Sequence, residues 1–202
     1  MKILCSLQGN GELLKLAFRV RAGVRSAQRA ETLMQGFKGG SLGGFEMIMD
    51  EKRCKDVELW RKCESGEEII VSAMLGEFVC LEEGETSFPY KCLMKVFIRK
   101  PELSSILQFN CGVVSKGCDL SEFSIYHASC LPQSSYLNDS VYKGPLFSDL
   151  DPQLQATFKE YLIARGIGEN LTNFLLLHLH KKETDQYVNW LGRLEAMISK
   201  DA

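Results

Sequence analysis

No stretch of this 202-residue chain approaches the roughly 18–20 apolar residues that a membrane-spanning helix needs. The longest candidate, Leu171 to Leu179, is broken by Thr172, Asn173 and His178, which argues against an integral membrane protein. Histidine is scarce: there are three. His178 and His180 are two residues apart, so on a helix they point about 200° apart and cannot chelate one ion. His127 stands among Tyr126, Ala128 and Ser129. The eight cysteines, at positions 5, 54, 63, 80, 92, 111, 118 and 130, are too sparse for a disulfide scaffold. No two of them form Cys-x-x-Cys, so the zinc-ribbon and thioredoxin signatures are missing. No Gly-x-Gly-x-x-Gly follows a strand, and there is no phosphate loop. Nor is there a nucleophile elbow or a cysteine set in a glycine turn. These absences predict no catalytic residue, no cofactor and no bound metal. A cysteine in an apolar run behaves as a small hydrophobe, so reduced, buried thiols are expected.

What is present is ordinary in bulk and uneven in distribution. Hydrophobic residues make up 45% and charged residues 25%, the mixture of a folded globular chain. The net charge of −2 conceals an asymmetry. Residues 1–40 hold seven Lys/Arg against two acids, leaving 17 basic and 24 acidic residues for the rest. A +5 leader thus precedes a −7 body, the pattern of a targeting segment or interaction tail. Four arginines between 19 and 29, following Leu13, Leu14, Leu16 and Phe18 and with Val20 among them, suit an amphipathic mitochondrial transit peptide. The alternatives, in that order after the transit peptide, are an N-terminal helix of the mature protein from about Glu12 to Gln35 and an imperfect gene start. Gly39-Gly40-Ser41-Leu42-Gly43-Gly44 reads as a joint, dividing the chain into a leader, 1–40, and a domain, 41–202. The sequons at Asn138 and Asn170 lack a secretory signal, so neither is expected to carry glycan.

From 45 to 130 the chain reads as successive short strands: 45–49, 57–61, 68–75, 93–98, 105–114 and 123–130. The breaks between them carry turn residues, among them Glu64-Ser65-Gly66, Glu83-Gly84-Glu85, Lys100-Pro101 and Lys116-Gly117. Strands joined this closely, with no helical pattern between them, predict an antiparallel meander. Glu64, Glu67, Glu68, Glu77, Glu82, Glu83 and Glu85 concentrate negative charge in the turns and form a candidate acidic surface for basic partners. After Pro145 the period changes. Asp151-Pro152 is a helix start, with Asp as cap and Pro at the first helical position. Leu154, Phe158, Tyr161 and Leu162 share one face, and Gly166 is the stop. Asn170 is a candidate cap for a second helix carrying Leu171, Phe174, Leu175 and His178. Thr184 either caps a third or marks a kink in a longer one, with a stripe of Tyr187, Trp190, Leu191, Leu194, Met197 and Ile198. Of these, Leu154, Phe158, Leu162, Phe174, Tyr187, Trp190, Leu191, Leu194 and Ile198 are candidate helix-packing or oligomer residues.

The C-terminal third carries a more specific signal. Lys143-Gly144-Pro145-Leu146-Phe147-Ser148-Asp149-Leu150-Asp151 precedes Tyr161-Leu162-Ile163-Ala164-Arg165-Gly166-Ile167, and then come Asn173-Phe174-Leu175, Tyr187 and Trp190-Leu191. Upstream stand Leu59-Trp60-Arg61-Lys62 and Gly66-Glu67-Glu68-Ile69-Ile70-Val71. This pattern resembles the mitochondrial glycoprotein family in its plant form, over residues 44–200. The resemblance implies an α+β fold: a highly twisted antiparallel sheet of about seven strands flanked by an N-terminal helix and C-terminal helices. It further implies a homotrimer with an acidic face, import into the mitochondrial matrix and no catalysis. The corresponding role is that of a scaffold or chaperone-like binder of basic matrix or ribosomal proteins, linked to oxidative phosphorylation or mitochondrial ribosome function. The alternatives are a mitochondrial RNA- or ribosome-binding factor and, more remotely, a thiol-dependent hydrolase. The −7 body argues against direct nucleic-acid binding, which requires clustered Lys/Arg; a basic stripe in the folded chain would reverse that argument.

Overall fold

A computed structural model of the chain describes residues 42–76, 92–117, 120–132 and 142–198. Six strands follow one another: β1 (Glu46–Met49), β2 (Asp56–Lys62), β3 (Glu68–Leu75), β4 (Cys92–Arg99), β5 (Ser105–Gly117) and β6 (Leu120–Pro132). They pair antiparallel in chain order, β1-β2-β3-β4-β5-β6, the meander predicted from the turn spacing. The α+β class stands. Six strands are found among the described residues where the resemblance implied about seven, and the expected N-terminal helix lies outside the described residues.

Side-chain alternation explains the single core. The registered row Leu59, Val71, Val96 and Phe109 crosses four strands, and each member is at most 2% exposed. The neighbouring row Val57, Ala73, Met94 and Cys111 is buried equally well. One residue along, Trp60, Ile70 and Phe97 sit in register on the opposite face, half-buried. A bulge in β6 pairs Asn110 with His127 but Cys111 with Ile125, leaving Tyr126 as the extra residue. Its ring lies over Gly112, where an added Cβ would meet the phenol ring, so a larger residue there requires the half-exposed Tyr126 side chain to move.

After β6 a short 3₁₀ turn, Phe147–Asp149, leads into α1 (Pro152–Ile163). The predicted cap is present: Asp151 accepts from the backbone N–H of Gln153 and Leu154, with Pro152 opening the helix. Helix α1 ends as predicted at Gly166 (φ 82°). There the Ile167 N–H bonds the Leu162 carbonyl and the Gly166 N–H bonds the Ile163 carbonyl, a Schellman closure.

Helix α2 (Glu169–Ile198) is one element of 30 residues, which decides between the two readings of Thr184. Its hydroxyl donates to the His180 carbonyl at 2.9 Å, a bond one turn back inside a continuous helix. The surrounding Lys181, Lys182 and Glu183 are good helix formers, so nothing breaks the chain there. Asn170 lies inside the first turn, one residue past the helix start.

The first half of α2 and the end of α1 cover the sheet with Leu162, Ile167, Leu171, Phe174, Leu175 and Leu179, all buried. Each such side chain contributes roughly 1.5–3 kcal/mol when taken from water. Past Lys182 no described residue of α2 is buried. A helix of this length spans about 45 Å, and only its first half, up to Lys182, is buried against the sheet.

Candidate functional site

The Tyr161-to-Ile167 motif is a structural joint. The Arg165 guanidinium lies 3.4 Å over the Tyr161 ring centre and donates to Glu67 Oε1 at 2.9 Å. Arg61 donates to the Arg165 carbonyl at 3.1 Å, capping the negative end of α1, and rests over the Phe45 ring. A Cβ at Gly166 would meet the Arg61 guanidinium at 2.7 Å, so position 166 demands glycine for both φ and space. Ile167 is fully buried. The motif thus locks the end of α1 against β2 and the β2–β3 turn.

That joint consumes part of the candidate acidic surface. Glu67 has a side chain 12% exposed and is paired with both Arg165 and Lys100. The Arg165 hydrogen bond, against an opposing push from burial, holds its carboxyl below the usual carboxylate range. Glu68 pairs with Arg99 across β3 and β4. Glu64 stands exposed in the turn. Glu77, Glu82, Glu83 and Glu85 lie outside the described residues.

The nine candidate packing positions divide. Leu162 and Phe174 are buried, and Phe158 meets Phe109 edge-on at 5.5 Å. Leu154, Tyr187, Trp190, Leu194 and Ile198 are between 37% and 52% exposed, with Leu191 half-buried. Trp190 is therefore no core residue within one chain. It stacks with Tyr187 at 5.9 Å between ring centres.

A cluster that sequence reading missed fixes the β1–β2 loop to α2. Lys182, 9% exposed, donates to Asp50 Oδ1 and to the Asp56 carbonyl, each at 2.7 Å. His178 Nε2 lies 2.9 Å from Asp50 Oδ2, with its ring stacked on Phe174. Partial burial pushes the Asp50 carboxyl up. The Lys182 hydrogen bond and the charges of His178 and Lys182 outweigh that push, and the net displacement is downward. One helical turn on, Gln186 donates to the carbonyls of Lys52 and Cys54 at 3.0 and 2.8 Å. The partners are more than 120 residues apart in the chain, so no local spacing announces them. The signal available was an Asp at a strand end and a Lys in a helix otherwise apolar on that face.

Against this clasp opens a groove of about 570 Å³, lined by the β1–β2 loop and the half-exposed part of α2. Lys52, Arg53, Lys55 and Arg193 line it with Tyr187 and Trp190, and Glu183 is the acid among the lining residues.

The thiols are partly as expected. Cys92 and Cys111 are buried, and burial pushes both up to about 12, so neither supplies thiolate at neutral pH. Cys54 and Cys63 are half-buried, and Cys130 is exposed, which corrects the expectation of uniformly buried thiols: the side chain of Cys130 falls on the open side of β6. Desolvation by its surroundings and the adjacent Glu51 carboxylate move the Cys54 thiol upward. His127 Nδ1 is 3.0 Å from the Ser129 hydroxyl, which also donates to the Lys143 carbonyl. Burial holds His180 below its usual value. The second sequon's Thr172 is fully buried, its hydroxyl 2.6 Å from that of Ser121. Among the described residues no group of three or more His, Cys, Asp or Glu could hold a metal ion. Among them, too, no helix is long and apolar enough to cross a membrane.

An antiparallel meander backed on one face by C-terminal helices, with pairing and packing at its joints and its exposed chemistry on loop and helix surfaces, defines an α+β protein of the p32-like fold. Two solved structures share it. A Leishmania major protein described as a sequence homologue of human p32 matches at TM-score 0.60, 17% identity, over 87% of this chain and 98% of its own. The Trypanosoma brucei p22 protein matches at 0.58, 17% identity, over 88% and 98%. The profile of the mitochondrial glycoprotein family matches residues 25–198, and the chain belongs to that family. The mitochondrial acidic protein mam33 of Schizosaccharomyces pombe is 30% identical over 129 residues, 58% of this chain and 47% of that protein. An uncharacterised mitochondrial protein of Arabidopsis thaliana is 29% identical over 94 residues, 46% and 36% respectively. The chain thus spans about half or less of the length of these relatives.

Proposed function

We propose that this chain is a non-catalytic binding protein of the mitochondrial matrix. It acts as a scaffold or chaperone-like factor for basic matrix or ribosomal proteins, in support of oxidative phosphorylation or mitochondrial ribosome function, and assembles as a homotrimer. The observation that carries this reading is the division of α2. Its first half is sealed into the core, and its second half presents Tyr187, Val188, Trp190, Leu194, Met197 and Ile198 exposed. Contiguous exposed apolar surface marks interaction sites. Family membership supports the reading, and so does the name of the relative, a mitochondrial acidic protein. The protonated state of Cys92 and Cys111 speaks against the hydrolase alternative at those thiols. The basic residues 1–40 serve as import signal or first helix, and the acidic 77–85 turn with Glu64 as the face for basic clients.

The test has three parts. Residues 1–40 fused to a fluorescent protein enter mitochondria; a purely cytosolic signal refutes the import reading. Light scattering on the full chain returns three times the chain mass; a stable monomer at micromolar concentration refutes the trimer. A labelled oligolysine peptide binds with an association rate that falls as salt rises, since exposed charges are screened over about 8 Å at physiological ionic strength. Changing Glu77, Glu82, Glu83 and Glu85 to Lys abolishes that binding. Unchanged binding reduces the turn to a solvated loop.

A further inference from the structure

We infer that the open face of the sheet is a docking surface for an amphipathic helix of a partner protein, one that carries a carboxylate in the middle of its apolar side. This surface is distinct from the acidic turn and from the exposed end of α2. An antiparallel sheet with one solvated face alternates apolar-in and polar-out. Here the outward positions depart from that pattern. Trp60, Ile70 and Phe97 form one registered row on the face away from the helices, all half-buried. Four residues along, Met74 pairs with Leu93 and Leu93 with Gly112, and the Tyr126 ring lies over Gly112. Met74, Leu93 and Tyr126 are 40%, 40% and 43% exposed. Between the two apolar rows run Glu58, Ser72, Lys95, Asn110 and His127 in register. Contiguous apolar surface of this kind marks an interaction site.

The ammonium of Lys95 selects the partner. Lys95 is exposed at the centre of the face, with Ser72 and Asn110 beside it in register and Leu93 and Phe97 on either side along β4. Among the described residues no carboxylate pairs with it. The Asn110 side-chain oxygen accepts from the Gln108 amide at 2.9 Å. Glu58, the acid of the same row, stands two strands away, about 10 Å. The rim carries both signs, with Lys62 at one end of β2 and Asp56 at the other and a self-neutralising Glu68–Arg99 pair, so the centre decides. In water a lone ammonium is well solvated. Under an apolar cover it becomes an uncompensated buried charge, which is strongly destabilising. A partner that covers both apolar rows therefore brings a carboxylate to their centre. Its backbone is helical: an extended segment laid on a sheet face buries N–H and C=O groups that only an edge could pair, whereas a helix satisfies its own. Helices already cover the other face of this sheet. The chain's own leader is disfavoured as occupant because residues 1–40 carry +5, the same sign as Lys95.

The experiment is fluorescence anisotropy of the full chain with labelled amphipathic peptides of about 15 residues, a helix of about 22 Å against about 19 Å across five strands. Each peptide is apolar at helical spacing, with Glu, Gln or Lys at one position in the middle of its apolar side. The Glu peptide binds, the Gln peptide binds about tenfold more weakly, and the Lys peptide binds more weakly still, as charge-pair coupling at an interface requires. Lys95→Glu reverses the order, so that the Lys peptide becomes the tightest. Met74→Ser and Leu93→Ser each weaken the Glu peptide several-fold and leave the charge preference unchanged. All three positions are exposed, and circular dichroism checks the fold of each variant. Three results overturn the proposal: no peptide bound, or all three bound alike; an order that Lys95→Glu does not reverse; or binding that appears only at dilutions where light scattering shows the chain dissociated, which gives the face to a second copy.

Discussion

Removing the carboxylate that holds the β1–β2 loop should expose the energetics of the clasp. In Asp50→Ala, Lys182 keeps only the Asp56 carbonyl, and His178 Nε2 loses the acceptor at 2.9 Å. Breaking a fully buried pair costs about 3–5 kcal/mol because a charge is left without a partner. Here the Lys182 side chain is 8% exposed but that of Asp50 is 31% exposed, so water replaces part of what is lost. We expect a loss of about 2–3 kcal/mol. At an m value of about 2 kcal/mol per molar, the urea midpoint then drops by about 1–1.5 M, read at fixed protein concentration. Lys182→Met should cost less, since it leaves the charge that water can reach. The double variant should lose less than the sum by about 1–2 kcal/mol, because replacing both partners removes the stranded charge. The pH dependence has a definite sign. The folded Asp50 carboxyl is displaced downward, so its contribution is complete above the unfolded value of about 3.9 and disappears as pH falls through the folded one. The gap between wild type and Asp50→Ala should close in acid. Additivity of the two substitutions within about 0.5 kcal/mol, or a gap that widens as pH falls, would refute the argument.

Phe109→Ala should cost about 3–5 kcal/mol, because Phe109 is fully buried at the centre of the sheet and leaves a cavity. Trp190→Ala should cost about 1 kcal/mol or less in the unassembled chain; equal losses in denaturant would show that burial does not separate the two sites. Gly112→Ala should cost about 1–3 kcal/mol through collision with the Tyr126 ring, and Tyr126→Ala should relieve most of it; strictly additive thermal shifts would contradict the packing. Glu67→Gln should lower stability at neutral pH and flatten its acid limb below about pH 4.3, where the unfolded carboxyl protonates first. An unchanged pH profile by circular dichroism would mean that the Arg165 pairing does not stabilise the joint.

Local patterns were legible because their causes are local. Turn residues and short apolar runs marked the successive strands of the meander, and the Asp151-Pro152 cap and Gly166 stop bounded α1 from the backbone chemistry of those residues alone. The family motif around Arg165 was visible as a string, and its spacing sufficed for the family. Its physical content was not visible: Glu67, Arg61 and Arg165 come from three separate segments. The same holds for what covers a helix. The stripe from Tyr187 to Ile198 has the periodicity of core, yet it is exposed because the described part of the fold buries α2 only as far as Lys182, and which stretch of a helix is covered is decided by elements far away in the chain. Charge was legible by segment but not by partner. The −7 of the body could be counted, but tertiary structure sends Arg99, Lys100 and Arg165 to carboxylates and gathers Lys52, Arg53, Lys55 and Arg193 around one groove. Hydrophobic period and capping act within a few residues and so belong to the sequence; ion pairing and surface shape act across folded distances, and only the assembled chain decides them.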